Sequence, residues 1–148
     1  MNKKQMNVLS VSGYLFMVAG LFLLYFNHGL FSFSPVVIVL QVAAIFLMIW
    51  ARVTFKARSF HLSAAPTDGG LVTTGPYKFI RHPIYAAVLL FVWSAVAGNL
   101  TVGNVLLGCV VFAGSFIRIV CEEPLVRERY PEYQQYAENT RRLIPYVF

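Results

Sequence analysis

The chain carries very little charge for its length. Only 12% of its 148 residues are Asp, Glu, Lys or Arg, and none of these occurs from Gln5 to Ala51. The mean hydropathy is +0.66, which lies outside the usual balance of a water-soluble domain. A helix crosses the hydrocarbon core of a bilayer, about 30 Å thick, with roughly 20 apolar residues. The uncharged stretch therefore predicts two membrane-spanning helices and excludes an ordinary soluble domain.

Two further absences exclude common kinds of functional site. The two cysteines, Cys109 and Cys121, do not have the spacing of metal ligands, so we expect them to be packing residues and predict no metal site. The chain also lacks a G-x-G-x-x-G sequence after a strand, which excludes a nucleotide-binding domain of the Rossmann type. Any nucleotide-like ligand must therefore bind to helix ends and loops.

The apolar runs predict an all-α integral membrane bundle of about four transmembrane helices that forms one domain over residues 1–148. The third span is short for a full crossing and is expected to start at headgroup level. Lys3 and Lys4 precede the first run as in a signal peptide, but the run is long and no A-x-A-like site follows, which favours a retained span. The predicted spans are residues 8–26, 31–51, 85–97 and 100–120.

Positive charge is distributed unevenly along the chain. All twelve Lys and Arg residues lie before the first span, in the middle loop 52–84, or at and after the end of the fourth span, which leads into the tail 121–148. By the positive-inside rule, both termini and the active site are predicted to be cytoplasmic, at the inner membrane if the protein is bacterial. The net charge of +6 then faces anionic headgroups, so we expect membrane lipids and no nucleic acid as partners.

The polar residues that could take part in catalysis or binding lie on the same predicted face. All six acids and two of the three histidines, His61 and His82, fall in the middle loop or tail, whereas His28 falls on the opposite side. Prolines and glycines predict a loop over residues 69–83, and the backbone amides of such a loop can bind a polar ligand. Pro83 constrains His82 at the end of this loop.

Near the end of the fourth span, Arg118 and Glu122 are four residues apart and so share one helix face. Two interpretations are open. Arg118 either extends to the membrane surface with Glu122 as a neutralising partner, or the pair is retained because it holds a ligand. Glu123 points about 100° away from Glu122. We therefore expect one of the two acids to hold a cation and the other to contact solvent or Arg127, which lies four residues after Glu123.

The tail is too polar to span a membrane and predicts a C-terminal amphipathic helix. Pro131 fits the first turn of this helix. Tyr133, Tyr136, Ala137 and Thr140 then lie on one side of it. The helix is either an interfacial anchor or a lid over a site, and the aromatic residues after Pro145 are expected to return to the membrane.

Two sequence blocks, LVTTGPYKFIRHPIY and RIVCEEPLVRERYPEYQQYAENTRRLIP, resemble the isoprenylcysteine carboxyl methyltransferase and phospholipid methyltransferase family of membrane enzymes. The resemblance implies a small helical bundle that binds S-adenosylmethionine under its C-terminal segment. It also implies that Arg118 faces the methyl acceptor. The residues that match cofactor contacts are Leu71, Val72, Tyr77, His82, Pro83, Ile84, Tyr85 and Glu122.

The acceptor implied by the resemblance is a lipophilic small molecule or a lipid-anchored group. A carboxylate acceptor would bind to Arg118, whereas an amine or thiol would need a base, for which His82, Glu123 and the tyrosines are candidates. Two alternatives remain open. One is an NADPH-dependent membrane sterol or enone reductase, which shares an RHPxY element, although the adjacent acids would repel a polyphosphate. The other is a non-catalytic accessory protein.

Overall fold

The computed structural model describes residues 2–56 and 69–145. Within these ranges the chain forms helices and one 3₁₀ turn, Gly75–Lys78, and contains no β-strand. The predicted all-α class is therefore confirmed, while His61 and the C-terminal aromatic residues lie outside the described ranges. The helices are α1 (Lys3–Phe26), α2 (Pro35–Phe55), α3 (Pro83–Gly98), α4 (Val102–Arg129) and α5 (Tyr133–Asn139).

Three helices, α1, α2 and α4, are long and apolar enough to cross a membrane, and α3 is a shorter apolar helix. The second predicted span, 31–51, begins before α2, whose first turn contains Pro35, a position where proline is favoured. The helix that forms most of the fourth predicted span, 100–120, continues beyond it to Arg129, with Pro124 inside the helix. Polar residues extend α4 because its last turns are exposed on one side and need no apolar surroundings.

The helices alternate in direction, with α1 packed along α4 and α2 packed along α3. Lys3 Nζ lies 2.7 Å from Glu128 Oε1, so the start of α1 and the end of α4 are neighbours. The ring centroids of Phe55, at the end of α2, and Tyr77, in the turn before α3, are 5.5 Å apart. The end of α2 and the start of α3 therefore lie at this same end of the bundle. We call this end of the bundle the polar end. The opposite, far end contains His28, as predicted from the sequence.

The closest approach of α1 and α4 occurs at two glycines. A Cβ atom on Gly114 would lie 2.5 Å from the carbonyl oxygen of Gly13 and 2.8 Å from the backbone nitrogen of Met17. Small residues let membrane helices approach to backbone contact in this way. The contact places Arg118, one turn further along α4, directly beside α1.

The outer surfaces of the bundle are apolar. Phe22 on α1 and Val39 on α2 are 60% and 67% exposed, and many other apolar side chains on these helices also point outward. Such a surface is suited to lipid and not to water. Cys121 is buried against Met6, as expected of a packing residue, but Cys109 is exposed on α4 and packs against no core.

The tail folds back over the polar end. Its helix, α5, begins at Tyr133, and Pro131 lies in the preceding turn and not in the first helical turn. Tyr133 and Thr140 are 3% and 4% exposed, so the side of α5 that carries them faces the protein. The structure therefore favours a cover over the polar end and not an anchor that presents this side to the membrane.

Candidate functional site

A chain of hydrogen bonds joins α3 to α4 at the polar end. Arg118 Nε donates to the hydroxyl oxygen of Tyr85 at 2.6 Å, and the Tyr85 hydroxyl donates to Glu122 Oε1. Arg118 Nη2 also donates to Glu122 Oε1 at 3.1 Å. Because Arg118 is only 4% exposed, it does not extend to the membrane surface. The interpretation of Arg118 as a surface residue is therefore wrong.

The first helix supplies another wall around Arg118. The guanidinium carbon of Arg118 lies 5.3 Å from the ring centroid of Tyr14 and 5.9 Å from that of Tyr85, within the range of a cation–π interaction. Arg118 Nη1 also approaches the carbonyl oxygen of Ser10 at 3.4 Å. Sequence analysis missed Ser10 and Tyr14, whose i, i+4 spacing within an apolar run was the only signal.

His82 lies between the two adjacent acids of α4. Its Nδ1 is 3.9 Å from Glu122 Oε2, and its Nε2 is 3.4 Å from Glu123 Oε1. The imidazole side chain is 10% exposed, and the Glu122 side chain is 21% exposed. The two sequence blocks, distant along the chain, are thus brought together by the packing of α3 against α4.

Glu123 is the centre of an ionic cluster. Its Oε1 accepts from Arg81 Nε at 3.1 Å, and its Oε2 accepts from Arg142 Nη2 at 2.8 Å. The hydrogen bond with Glu123 raises the pKa of Arg142 above its usual value. Glu123 therefore pairs with Arg81 and Arg142 and not with Arg127, because the loop before α3 and the tail meet at this carboxylate.

Backbone hydrogen bonds join the tail to the loop before α3. Arg81 N donates to the carbonyl oxygen of Arg141 at 2.7 Å, and His82 N donates to that of Arg142 at 3.0 Å. A single parallel bridge pairs Ile80 with Arg141. We call residues 140–145 the strap, because this segment runs across the polar end beside His82.

The side chain of Arg81 terminates α5. Its Nη1 donates to the carbonyl oxygens of Ala137 and Thr140 at 2.8 and 2.6 Å. The last carbonyl groups of a helix have no partner within the helix, and a cation is favourable there. Arg81 therefore fixes α5, the strap and Glu123 relative to the start of α3.

The loop before α3 is anchored on α2 and contains a helical turn that the loop prediction for 69–83 did not include. Gly75 begins this turn with φ of 58°, a conformation that glycine adopts at low cost. A Cβ atom there would lie 2.6 Å from Thr54 Oγ1. The turn presents the carbonyl oxygen of Tyr77 to the hydroxyl of Tyr136, which donates to it at 2.7 Å.

The tyrosines of the polar end are poor bases. Burial raises the pKa of both Tyr77 and Tyr136 well above the usual value. Burial likewise raises the pKa of Tyr133 to about 12. These three hydroxyl groups stay protonated at neutral pH, so they can donate hydrogen bonds but cannot accept a proton from an acceptor.

The remaining predicted cofactor contacts are apolar. Leu71 and Val72 are half-buried in the extended segment before the 3₁₀ turn. Pro83 is fully buried as the first residue of α3, and Ile84 beside it is half-buried. These side chains can line a pocket but cannot hydrogen-bond to a ligand, so their role stays a prediction. Among the described residues, no group of His, Cys, Asp and Glu could hold a metal ion.

A separate cavity of about 810 Å³ opens at the far end. Its walls come from the loop between α1 and α2 and include His28 and Asn99. The cavity holds no acidic or basic side chain apart from His28. The ionisable groups that could activate a reaction are therefore concentrated at the polar end.

Comparison with known proteins points to one enzyme family. The phospholipid methyltransferase family matches residues 36–133, which include all of α2 except its first residue, and the whole of α3 and α4. Methanethiol S-methyltransferase 1 of Bradyrhizobium diazoefficiens is 35% identical over 71 residues, which are 47% of this chain and 24% of that protein.

Two metal-resistance proteins are also similar. The nickel-cobalt-cadmium resistance protein NccN of Alcaligenes xylosoxydans xylosoxydans is 31% identical over 78 residues, which are 51% of this chain and 36% of that protein. The cobalt-zinc-cadmium resistance protein CzcN of Cupriavidus metallidurans is 33% identical over 78 residues, with 51% and 35% covered. This chain thus aligns with between 24% and 36% of each of these curated relatives. No solved structure matches it significantly.

Proposed function

Because this chain belongs to the phospholipid methyltransferase family, we propose that it transfers a methyl group from S-adenosylmethionine to a lipophilic acceptor at one face of a membrane. The observation that carries this proposal is the buried chain of Arg118, Tyr85 and Glu122, with His82 beside it. Ionisable groups that are buried and paired within an apolar bundle are typical of functional sites.

The polar end fits S-adenosylmethionine chemically. The ammonium and hydroxyl groups of this cofactor are donors, and the carboxylate of Glu122 is an acceptor with 21% of its side chain still exposed. His82 occupies the N-cap position of α3 without capping it through its side chain. Pro83, the first residue of α3, has no N–H, so the amide groups proposed to bind an anion such as the carboxylate of the cofactor are those of Ile84 and Tyr85.

When bound, S-adenosylmethionine supplies a methyl group on a sulfonium, which is already activated toward attack. The protein therefore has to hold two molecules in line and exclude water. Tyr85 fixes Arg118 and Glu122 relative to each other, and α5 with the strap covers the polar end. These residues supply a rigid and partly desolvated surface on which alignment costs little entropy.

The acceptor is proposed to reach Arg118 from the lipid, since the outer faces of α1 and α4 are apolar. Several chemical classes of acceptor suit such a route, among them a carboxylate, an amine and a thiol. The name of the Bradyrhizobium relative specifies a thiol, methanethiol, as the acceptor of that protein. This likeness supports sulfur as the atom methylated here: the bond from sulfur to the methyl carbon would form as the sulfonium bond breaks, S-adenosylhomocysteine would leave, and the thiol proton would pass to a base, for which His82 is the remaining candidate.

The orientation of the site follows from charge. All Lys and Arg residues of the described chain, including Arg118, lie at the polar end. The cytoplasmic side of a membrane is where such residues accumulate. We therefore propose that the site faces the cytoplasm, where soluble S-adenosylmethionine is available, and contacts membrane lipids.

Cofactor binding tests the proposed function. Purified protein in detergent is titrated with S-adenosylmethionine, S-adenosylhomocysteine and NADPH by calorimetry. We expect the first two to bind and Glu122→Gln to weaken them at least tenfold, since hydrogen bonds to a charged group contribute about 1.5–3 kcal/mol. Glu138→Gln is the matched control, because Glu138 is exposed and bonds only to Gln134 within α5.

Two outcomes would contradict the proposed function. Preferential binding of NADPH would indicate the reductase that the RHPxY element also allows. Absence of binding to all three compounds by protein that unfolds cooperatively would indicate an accessory role without catalysis. Equal affinity of Glu122→Gln and the wild type for S-adenosylmethionine would show that Glu122 does not contribute to cofactor binding.

A further inference from the structure

Two polar atoms on α1 are buried without a hydrogen-bond partner. They are Asn7 Oδ1 and Ser10 Oγ, and Ser10 is 0% exposed. An unsatisfied buried polar group costs about 1–3 kcal/mol, and most such groups in folded proteins are satisfied. A ligand that supplies the missing partners would remove this cost.

These two atoms lie beside the site already described. Asn7, Ser10 and Tyr14 are spaced i, i+3 and i+7, so they share one face of α1. Tyr14 stacks on the guanidinium of Arg118, and Arg118 Nη1 approaches the backbone carbonyl of Ser10. This face of α1 lies outside residues 36–133, so the family match assigns no role to it.

We propose that Asn7 and Ser10 bind the polar head of the methyl acceptor, and that this head is an uncharged hydrogen-bond donor such as a thiol or hydroxyl. The inference rests on the proposed function and narrows its substrate class. The amide oxygen of Asn7 can only accept a hydrogen bond, whereas the hydroxyl of Ser10 can donate or accept. A head that both donates and accepts satisfies the two groups together.

The charge balance around Arg118 disfavours a carboxylate head. Arg118 is paired with Glu122 at 3.1 Å, and its Nε is used by the hydroxyl of Tyr85. A second carboxylate would place another negative charge near Glu122 where little water screens it, and like charges at such distances repel strongly. An uncharged head adds hydrogen bonds without this repulsion.

The surroundings of Asn7 and Ser10 favour an apolar tail on the acceptor. Met6, next to Asn7, packs with Cys121 and Leu125 of α4. On the outer side of α1, Leu15 is 60% exposed toward the lipid. A polar head held at Ser10 would therefore have apolar residues of the contact between α1 and α4 nearby, and the outer face of α1 is apolar as well, which suits an alkyl chain that remains in the bilayer.

The test uses the full chain in lipid nanodiscs with octanethiol and octanoate as matched acceptors. Methyl transfer from radiolabelled S-adenosylmethionine gives KM and kcat for each. We expect octanethiol to be methylated in preference to octanoate, and Ser10→Ala and Asn7→Leu to raise KM for octanethiol about three- to tenfold, the effect of one lost hydrogen bond. Affinity for S-adenosylmethionine should stay within about twofold of the wild type, since an acceptor contact is separate from the cofactor.

Ser12→Ala is the matched control on the same helix. The hydroxyl of Ser12 donates to the carbonyl oxygen of Val8 at 3.0 Å within α1, so its loss should leave KM unchanged. Thermal unfolding separates binding from a structural role. Ser10→Ala removes an unsatisfied hydroxyl, so Tm should be unchanged or higher, while the rise in Tm that octanethiol produces with S-adenosylhomocysteine present should shrink.

The proposal and the proposed function fail in different ways. Unchanged KM and unchanged stabilisation by octanethiol in both variants would overturn the role of Asn7 and Ser10 alone. Preference for octanoate would overturn the uncharged head. A fall in Tm of Ser10→Ala, together with weaker cofactor binding, would show a structural hydroxyl instead. Failure of the wild-type protein to bind S-adenosylmethionine would overturn the proposed function itself.

Discussion

At the scale of single residues, the adjacent acids Glu122 and Glu123 have different surroundings. Successive residues on a helix point about 100° apart, so each acid meets other partners. Glu122 contacts Arg118 and Tyr85 and keeps part of its side chain exposed. Glu123, a predicted candidate base, is held between Arg81 and Arg142. Its geometry favours a positioning role in which it holds the strap.

Replacement of Glu123 tests this positioning role. We expect Glu123→Gln to weaken attachment of the strap by about 2 kcal/mol, because charged hydrogen bonds to both arginines are lost. Hydrogen exchange of the amides in residues 140–145 should then be faster. Glu138→Gln, which removes an exposed charge on α5, should leave this exchange unchanged.

The same variant separates positioning from proton transfer. If Glu123 only holds the strap, Glu123→Gln should lower both the rate of methyl transfer and the protection of the strap amides from hydrogen exchange. The pH profile of the remaining activity should keep the wild-type shape. Full strap protection with abolished turnover would instead support Glu123 as the base that sequence analysis considered.

At the scale of helices, the contact between α1 and α4 decides where the site forms. Gly13 and Gly114 let the backbones touch, and this sets the depth at which Arg118 meets Ser10 and Tyr14. Without close approach, the polar face of α1 would lie too far from Arg118 to form a wall of the site. The apolar character of both helices does not determine this register.

Substitution of Gly114 by alanine tests the importance of this contact. The added Cβ would lie 2.5 Å from a backbone oxygen that cannot rotate away, so we expect a loss of about 1–3 kcal/mol in the free energy of unfolding. Gly103→Ala is the control on α4, because its Cβ would meet nothing closer than 3.7 Å. It should be neutral or stabilising by up to about 1 kcal/mol. Equal Tm values for the two variants in detergent would contradict the close contact.

At the scale of the whole molecule, the charge distribution defines two ends. The polar end combines the start of α1, the ends of α2 and α4, and α5, while the far end consists of short connections between apolar helices. The pairing of Lys3 with Glu128 shows that the N-terminus and the tail are at one end. A membrane with anionic lipids on one side would orient such a molecule in one direction.

Cysteine labelling in whole cells tests this orientation in a Cys109→Ser background. Phe33, at the far end, is 100% exposed, and Lys78 is exposed at the polar end. We expect Phe33→Cys to react with a membrane-impermeant maleimide in intact cells, and Lys78→Cys to react only after permeabilisation. The reverse pattern would place the site on the outer face.

Much of the fold could be predicted from local sequence. Long uncharged runs predict spanning helices because a segment must be predominantly apolar to lie in lipid. Pro83 predicts the start of α3, and the spacing of Arg118 and Glu122 predicts a shared helix face. These features depend on neighbours in the chain, so tertiary packing leaves them unchanged.

The sequence alone determined the membrane class and most of the helices, and it named candidate site residues on α3 and α4. Only the tertiary structure decided that Glu123 holds Arg81 and Arg142, and that Ser10 lies beside Arg118. The physical reason is distance along the chain. Hydropathy and helical periodicity act over a few residues, whereas these contacts join segments whose meeting depends on how closely whole helices pack.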